Sequence, residues 1–512
     1  MNSTKRPSCA WVLSLVVLTY ASRGLAESAP PPNVLTERAV VAAALSHNPT
    51  LAASASDWRQ AQLLEQAEEH RHSFVLGLDA AATSTRSPSL GPTGITTPES
   101  TNYTGGVDLS RHTALGTDLK LRVEGWRQTN QLTFLNGATT PPSLLAFTLG
   151  PAYGTTAKFS LTQPLLRGAG RDVYYAELDA ARASRASARS ARDQAASQLL
   201  LDVLTAYWEL SYDTRSVEIQ LRSLDLARVQ RDETALRVTT GSVAPVDVLS
   251  FETTIATIEE DLASARAEAD KQLAELARLI GDPELTLNGA ADTSSAMPEP
   301  GQPAEDVKQR TLAVSFELAQ LRAAVELATV QARTADETYR PKLDLDAYVQ
   351  AQGLGNKSLG PMVDQLSGLG AVSAHIGLTY QAPLDGTQRN RERERALMAI
   401  QSAKLRLTAI EQRLAADVDK ALTRETSSRK RITLADTTLT IAKQQFEAET
   451  QRFRTGSTTA LQVREAERTV RSAELRASRA RADWIEASLT LEHLSGRLLQ
   501  RWTKVDLSEA RN

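Results

Sequence analysis

The sequence predicts a mainly α-helical chain with a smaller part made of β-strands, organised as a tandem repeat. The first observation is a duplicated turn, because "RVTTGSVAPVDVL" (Arg237–Leu249) returns as "RFRTGSTTALQVR" (Arg452–Arg464). The second is that the stretches leading into these turns are long and free of glycine and proline. The third is a hydropathy period of two in the segments that precede each long stretch. Together these observations indicate one unit of helix, strands and helical hairpin that occurs twice.

Two long helical hairpins are predicted over residues 171–280 and 389–496, with Gly241 and Gly456 at their turns. At a rise of 1.5 Å per residue, the first arm of each hairpin would extend to about 100 Å. No compact domain needs helices of that length, so an extended architecture is expected.

Heptad spacing of hydrophobic residues near the turns predicts coiled-coil packing between the two arms of each hairpin. The residues that carry it include Phe251, Ile255, Ile258 and Leu262 in the first repeat and Ile432, Leu439, Phe446 and Phe453 in the second. Taken alone, this spacing also fits a simple antiparallel coiled-coil stalk.

A shorter helix precedes the strands in each repeat, over residues 34–72 and 306–340. The first of these has Thr36 as a plausible N-cap and a break at Asn48-Pro49. Residues 34–72 and 246–280 together contain about as many residues as 171–240. Two short helices stacked end to end can therefore lie beside one long helix.

Strands are predicted between residues 73 and 165 and between residues 341 and 384. In "DLKLRVEG" (Asp118–Gly125) apolar and charged residues alternate, which gives a strand one apolar and one polar face. Such strands suit a membrane β-barrel, and only four of them are certain. A closed membrane barrel needs at least about eight strands. The pattern therefore predicts a transmembrane β-barrel shared between several chains.

Two details of the strand regions are less regular. Residues 102–125 contain an additional hairpin that either adds strands to the sheet or lengthens an external loop. Residues 353–370 are rich in glycine and are predicted to form a loop. Aromatic residues that could form belts at the membrane interfaces are Tyr103, Trp126, Phe134, Tyr153, Tyr348 and Tyr380.

The domain organisation follows from these segments. A basic start and a short apolar run predict a signal peptide over residues 1–26, which directs the chain out of the cytoplasm. The first repeat covers residues 27–303 and ends in a Pro/Gly-rich linker at 281–303. The second repeat covers residues 304–496, and a C-terminal tail covers residues 497–512. Cys9, the only cysteine, lies within the signal peptide, so neither disulfides nor thiol metal sites are expected in the mature chain.

No enzyme, cofactor or nucleic-acid chemistry is indicated by the sequence. The formal charge is −3, and the six histidines are scattered along the chain. His70 and His72 could share a face beside a strand, but no third ligand is near them in sequence, so no metal site is expected. The basic run Ala181–Arg192 has helical spacing and is read as a solvated helix face.

The order of these elements resembles the TolC family of outer-membrane efflux proteins. The motifs that carry the resemblance are "ALSHNPTL" (Ala44–Leu51), "LTQPLLRGAG" (Leu161–Gly170), its partner "LTYQAPLDG" (Leu378–Gly386), and the paired turns. The resemblance covers nearly the whole mature chain. It implies a homotrimer in the outer membrane, with a shared β-barrel in the lipid and an α-barrel that crosses the periplasm.

The resemblance also implies roles for residues at the turns. Arg237, Gly241, Arg452 and Gly456 fall on the tip positions that dock a periplasmic adaptor protein, which is attached to an inner-membrane pump or secretion ATPase. The alternative is that the glycines only terminate helices.

The periplasmic gate implied by the resemblance falls on Asp247, Gln462 and Glu465. Gln462 departs from the acidic residue type of the family, which leaves Glu465 to form a ring of three carboxylates in a trimer. These three residues can equally be read as ordinary solvated helix positions.

The function predicted from these features is that of a passive exit duct in a tripartite efflux or type I secretion complex. The alternative is a periplasmic adaptor or coiled-coil scaffold, which also combines long hairpins with strands. Adaptors carry one hairpin, whereas this chain repeats its hairpin, so the duct is preferred. The exported substrate and the class of pump are not encoded in any motif.

Overall fold

The computed structural model describes residues 36–91, 94–96, 99–136, 143–241, 244–281 and 304–502. The predicted signal peptide, the linker beyond Gly281 and residues 503–512 of the predicted tail lie outside this part of the chain. The described residues form long helices and a six-stranded antiparallel sheet. Its principal helices and strands are α1 (Glu37–His47), α2 (Pro49–His70), β1 (Val75–Arg86), β2 (Ser89–Gly91), β3 (Gly94–Thr96), β4 (Glu99–His112), β5 (Asp118–Asn136), β6 (Ser143–Pro164), α3 (Arg171–Tyr174), α4 (Ala176–Thr239), α5 (Pro245–Ile280), α6 (Ala304–Val314), α7 (Phe316–Thr338), β7 (Lys342–Asn356), α8 (Gly360–Ser367), β8 (Val372–Gln381), α9 (Thr387–Arg454) and α10 (Ala460–Leu494).

The two long first arms predicted from composition are present as single helices. α4 has 64 residues and α9 has 68, so each extends to about 100 Å. Each helix ends at a glycine in the left-handed region, with φ of 76° at Gly241 and 77° at Gly456. The chain then returns as α5 or α10, and the predicted pair of helical hairpins is confirmed.

The predicted end-to-end stacking of short helices beside α4 is also present, and Asn48 joins them. Its Oδ1 accepts from the backbone N of Leu51 at 3.0 Å, which caps α2, and its Nδ2 donates to the Leu279 carbonyl oxygen at 2.7 Å. Gly281 ends α5 with a φ of 83°, and a Cβ there would lie 2.8 Å from the carbonyl oxygen of His47. The end of α5 therefore abuts the junction between α1 and α2.

The second repeat has the same joint. Ser315 caps α7 at the junction with α6, and Gly496 follows α10 with a φ of 68°. A Cβ on Gly496 would meet the side chain of Val314 at 2.8 Å. Duplication at the level of sequence is thus reproduced in the way the helices meet.

The helices pack side by side in a layer that we call the helical wall. α4 is its central helix, because it packs against α2 and α5 and also against α7 and α10. α9 packs on α7 and α10 at the far side. The main hydrophobic core lies where the stacked helices meet, around Tyr207, Leu200 and Leu204 of α4. Residues 497–502 are helical, and Leu498 and Trp502 are buried in that core. The first part of the predicted tail therefore belongs to the packed structure.

The sheet has the order β1-β4-β5-β6-β7-β8, and every neighbouring pair is antiparallel. Residues 102–125 supply most of β4 and the first part of β5, so the additional hairpin adds two strands to the sheet. The four certain strands of the sequence analysis become six in the described residues. The chain enters and leaves the sheet at its helical end, opposite to the tips at Gly241 and Gly456.

The glycine-rich segment 353–370 is not only a loop, because it contains α8. Gly353 and Gly355 at the end of β7 allow this helix to lie directly on the strand. A Cβ at Gly353 would overlap the carbonyl oxygen of Met362, and one at Gly355 would overlap that of Ser358. The prediction of a loop was wrong here because these glycines serve close packing rather than chain flexibility.

Among the described residues, no helix combines the length and the hydropathy that a membrane crossing requires.

Candidate functional site

The two hairpin tips lie side by side and are joined by two arginines. Arg237, near the end of α4, donates from Nη1 to the carbonyl oxygen of Phe453 at 3.1 Å. Its guanidinium carbon also lies 4.9 Å from the centre of the Phe453 ring. One side chain therefore holds the last turn of α9 by a hydrogen bond and a cation–π contact.

Arg464 makes the reciprocal connection from the second hairpin to the first. It lies in the first turns of α10, and its Nη1 donates to the Ser250 hydroxyl at 2.8 Å and to the Ser250 carbonyl oxygen at 3.3 Å. Ser250 belongs to the first turns of α5. The two arginines together connect the four helix ends that form the tips.

Gly241 and Gly456 reverse the chain between these helix ends. A Cβ added to either glycine would meet no atom within 4 Å. A larger side chain would therefore fit at both positions. Glycine is favoured there because φ is positive, a conformation in which other residues are strained. Both backbones are exposed at the extreme end of the molecule.

Arg452 has a different environment from Arg237. It forms an ion pair with Glu449 at 3.2 Å on its own helix, and 66 % of its side chain is exposed. Glu449 also accepts a hydrogen bond from the hydroxyl of Thr458 at 3.0 Å. Of the two tip arginines singled out in the sequence, Arg452 is thus presented to solvent, and Arg237 is engaged between the hairpins.

The three predicted gate residues occupy separate positions near the tips. Asp247 lies in the first turn of α5, where a carboxylate is favoured by the helix dipole. The side chain of Gln462 contacts the hydroxyl of Thr458. Glu465 forms an ion pair with Arg468 at 2.9 Å and has 58 % of its side chain exposed. Among the described residues, no hydrogen bond or ion pair joins these three side chains.

A buried carboxylate lies further along the same hairpin and was not anticipated from the sequence. Glu467 of α10 is 5 % exposed, and burial raises its pKa. Arg471, one turn further on, is also buried and lies 3.9 Å from Asp261 of α5. The signal that could have revealed them is a charged pair at i and i+4 between the small residues Ala466, Ala473 and Ala477.

A larger charged cluster lies between α4 and α10, centred on Arg479. This arginine donates to Glu209 at 2.6 Å and to Asp483 at 2.7 Å, and it lies 5.3 Å from the ring centre of Tyr212. From α9, Arg424 reaches Glu486 at 3.1 Å and Arg431 reaches Asp483 at 2.9 Å. The cluster therefore links three helices of the wall through paired charges.

Two acids in this cluster are shifted towards the protonated form. Burial, together with a hydrogen bond to Glu209, raises the pKa of Glu486 to about 7. Burial and the nearby charge of Glu209 raise the pKa of Asp213 to about 6. Burial also acts to raise the pKa of Glu209, but hydrogen bonds with Glu486 and Arg479 lower it. Of the two carboxyl groups, that of Glu486 is therefore the one that holds a proton more readily.

The two histidines named in the sequence analysis have different surroundings. His70 Nδ1 lies 2.8 Å from the carbonyl oxygen of Gln66 in its own helix. His72 stacks on Tyr174 with ring centres 3.8 Å apart, at the junction of helices and sheet. Within the described ranges, no three His, Cys, Asp or Glu side chains are grouped as metal ligands.

The six-stranded sheet has one apolar and one polar face. Residues that stand opposite one another across all six strands form an apolar row: Leu76, Leu109, Leu121, Phe159, Val349 and Ala374. On the other face, Arg122 bonds to Asp79 of β1 at 2.8 Å and to Glu124 at 2.9 Å. The exposed apolar side chains reach 75 % exposure at Ile376.

Aromatic residues mark the ends of the apolar face. Tyr103 of β4 and Tyr153 of β6 both stand opposite Arg127 of β5. From Leu119, near the start of β5, to Arg127 the strand contains nine residues, counting both. About nine residues suffice for a tilted strand to cross a bilayer. Phe74, with Arg111 over its ring, lies at the other end of the face, as does Tyr380.

Two of the predicted belt aromatics lie on the polar face instead. Trp126 packs over Gly154, and the amino nitrogen of Lys158 lies 4.0 Å from the centre of the Tyr348 ring. The alternation of β5 and β7 assigns both to the face that carries Arg122. The side chain of Phe134 is outside the described residues.

Comparisons with known proteins agree with this architecture. The family model described as "Outer membrane efflux protein" matches residues 149–282 and 307–497. The outer membrane protein TolC of Escherichia coli (strain K12) is 23 % identical over 314 residues, which cover 59 % of this chain. The chain spans 62 % of the length of that curated relative.

Solved structures of outer-membrane channels share the fold. The channel OprN has a TM-score of 0.62 and 16 % sequence identity, with 90 % of this chain and 89 % of that chain covered. The outer membrane protein VceC from Vibrio cholerae has a TM-score of 0.61 and 18 % identity, with 90 % and 96 % covered.

The family match covers more than half of the sequence, and it includes both long hairpins and both tips. Members of this family are channels of the outer membrane rather than enzymes. The expected location, the outer membrane with helices that extend into the periplasm, is confirmed. This chain belongs to the outer membrane efflux protein family.

Proposed function

We propose that three copies of this chain form a passive duct that crosses the outer membrane and the periplasm. The sheets close into one β-barrel in the lipid, and the helices form a tunnel that narrows at the tips. The tips face an adaptor protein attached to an inner-membrane pump or secretion ATPase.

The observation that carries this proposal is the apolar row across all six strands. An apolar face of this extent is costly in water, and lipid is the solvent that suits it. The outer strands β1 and β8 each pair on one side only within the described sheet. Unpaired strand edges are not tolerated in lipid, so further copies of the sheet must close the barrel.

The helical wall supports the same assembly. α9 lies at the edge of the wall and exposes large apolar side chains, with Leu405 at 63 % and Leu434 at 68 %. At the opposite edge, Leu63 of α2 and Leu249 of α5 are exposed by 57 % and 61 %. Both edges are continuous with the unpaired strands of the sheet, so the occupant that fits them is a neighbouring copy of the chain.

At the tips, the geometry supports a closed state held by Arg237 and Arg464. In a trimer, Glu465 would contribute three carboxylates near the entrance. Each is paired with Arg468 of its own helix but keeps 58 % of its side chain exposed, so the ring can still favour the passage of cations. Arg452, Gly241 and Gly456 present the exposed surface that an adaptor can contact.

The test is the single-channel conductance of the purified protein in a planar lipid bilayer. Discrete, long-lived steps from a trimeric preparation are expected, and Glu465→Ala should weaken their preference for cations. Protein that folds, remains soluble without detergent and produces no conductance would contradict the duct. Such a result would instead support the periplasmic scaffold.

A further inference from the structure

The β4–β5 hairpin is an integral part of the sheet, although the chain could cross the membrane without it. It lies between β1 and β6 and pairs with both along its length. Arg122 of β5 reaches across β4 to Asp79 of β1 at 2.8 Å. Thr155 of β6 donates to the carbonyl oxygen of Glu124 at 3.0 Å. Side chains therefore connect the hairpin to both of its neighbours.

The directions of the strands show what the hairpin changes. Six alternating strands leave β1 and β8 antiparallel to one another, so identical sheets can join edge to edge in an antiparallel barrel. Removing β4 and β5 would leave β1 antiparallel to β6, and the sheet could still close. The hairpin therefore alters the circumference of the barrel without altering its topology.

We propose that the β4–β5 hairpin widens the exit of the duct, so that it admits cargo as wide as a polypeptide with formed helices. This inference rests on the proposed trimeric duct. Three six-stranded sheets give 18 strands. With strands about 4.8 Å apart and tilted by about 40°, the backbone diameter is about 36 Å. Twelve strands would give a backbone diameter of only about 24 Å.

The difference decides what fits through the exit. Side chains that occupy about 6 Å on each wall leave a bore of about 24 Å for 18 strands and about 12 Å for twelve. A single α-helix with its side chains is about 10–12 Å wide. The narrower barrel would hold at most one helix, whereas the wider one holds a helical hairpin.

The polar face that would line this bore carries charges of both signs, and several of them are paired with one another. Arg122 is bonded to Asp79 and Glu124, and Lys120 lies 3.4 Å from Asp108. On β7, Lys342 pairs with Asp344 at 2.8 Å. Lys158 and Asp346 lie on the same face and form no ion pair among the described residues, so a trimer would carry one ring of each sign there. Both signs are therefore present along the described lining, and neither dominates it. A wide lining with balanced charge suits large cargo of mixed charge.

The width can be measured directly with spin labels. Cys9 is the only cysteine, so protein produced without residues 1–26 carries one label when Gln350, on the polar face, is changed to cysteine. In a trimer the three labelled Cα atoms form an equilateral triangle. Its side is expected to be about 31 Å for 18 strands, and about 21 Å for twelve.

The matched variant lacks residues 99–136, and its distance should fall to the shorter value. A full-length distance near 21 Å, or no change on deletion, would overturn the widening. A monomeric protein, or one without a single intersubunit distance, would overturn the proposed trimeric duct instead.

Polymer access gives an independent measurement if the shortened variant does not fold. Maleimide-linked polyethylene glycol about 20 Å wide should label Gln350→Cys in the full-length trimer, with Thr239→Cys at the tip as the control for reactivity. Exclusion of every polymer wider than about 12 Å from Gln350→Cys, with Thr239→Cys still labelled, would also overturn the inference.

Discussion

The guanidinium of Arg237 lies 3.1 Å from the carbonyl oxygen of Phe453, two residues that are 216 positions apart in the chain. This contact connects the tip of the first repeat to the tip of the second. Arg464 and Ser250 form the reciprocal contact at 2.8 Å. If the proposed duct opens by moving one hairpin away from the other, both pairs must separate, and both then contribute to the energy that holds it closed.

Replacing either arginine should therefore loosen the tips. A hydrogen bond from a charged donor stabilises by about 1.5–3 kcal/mol, so Arg237→Ala and Arg464→Ala should each raise the open probability by about tenfold or more. The measurement is single-channel recording in planar bilayers. Arg452→Ala is the matched control, because the ion pair of Arg452 is with Glu449 on its own helix.

The alanine variants should remain trimeric, since both arginines lie far from the core around Tyr207. Unchanged conductance in Arg237→Ala and Arg464→Ala would show that the two contacts do not restrain the entrance. An equal increase of the open probability in Arg452→Ala would show that the loss of any positive charge at the tip opens the duct, whichever contact is removed.

The tip glycines should be sensitive to backbone strain rather than to size. A β-branched residue at a φ near 76° costs about 1–2 kcal/mol, although nothing lies within 4 Å of the new Cβ. Gly241→Val and Gly456→Val should abolish export in cells while the trimer remains assembled. Gly241→Asn should retain export, because asparagine tolerates the left-handed region.

Gly386 provides the control for these variants, because it also has open space around it but an ordinary φ of −82°. Gly386→Val should leave export unchanged. Loss of the trimer in Gly241→Val, measured by native mass spectrometry, would show that the tips are needed for folding instead of docking.

The helices were predictable because their signals are local. Glycine and proline are missing from the long arms, and Thr36 caps α1 by accepting from the backbone N of Ala39 at 3.3 Å, as the residue type predicted. The strands were predictable where apolar and charged residues alternate, as in β5. Duplication of the sequence then supplied the second repeat.

The contacts between distant segments were not predictable. Nothing near Arg464 distinguishes it from the many other arginines of the helices, and its partner Ser250 lies 214 positions away. Likewise, Gly353 and Gly355 suggest a loop when only the sequence is read. The structure shows that they are needed because α8 packs directly against the strand at these positions. Trp126 and Tyr348 were assigned to the membrane belts by residue type, whereas the register of the strands decides the face.

The stabilisation that Glu486 and Asp213 give to the helical wall should fall as pH rises from about 5 to 8. The pKa of Glu486 is raised to about 7 in the fold, so the folded state holds a proton that the unfolded chain releases at lower pH. Its stabilising contribution is complete below the unfolded pKa and is lost as pH passes through about 7. Asp213, with a pKa raised to about 6, acts in the same direction.

Thermal unfolding followed by circular dichroism between pH 5 and 8 checks this prediction. Glu486→Gln should remove part of the change in stability between pH 5 and 8, amounting to less than about 3 kcal/mol, and so flatten the slope of the midpoint against pH. The double variant with Asp213→Asn should flatten it further. His493, whose pKa is lowered by burial, acts in the opposite direction in the wild type and in the variants alike, so the comparison is between their slopes. An equal slope in the wild type and in the double variant would contradict the assignment of these protonated acids.

The seating of α8 on the sheet should depend on Gly353. This helix lies on the apolar side of β7, where the backbone N of Leu354 donates to the side-chain oxygen of Gln365 at 2.9 Å. Any side chain at Gly353 would overlap the carbonyl oxygen of Met362, so Gly353→Val should displace α8. Amide hydrogen exchange across residues 358–369 should then accelerate by about tenfold or more, because its backbone hydrogen bonds open.

Gly360 is the matched control, since it lies in the same segment and a Cβ there would meet nothing within 4 Å. Gly360→Ala should leave exchange in the segment unchanged, and both variants should keep the trimer. If Gly353→Val exchanges at the wild-type rate, α8 is not held by its contact with the strand. Faster exchange in β7 and β8 as well would mean that the helix also stabilises the sheet, because its removal would then loosen the strands beneath it.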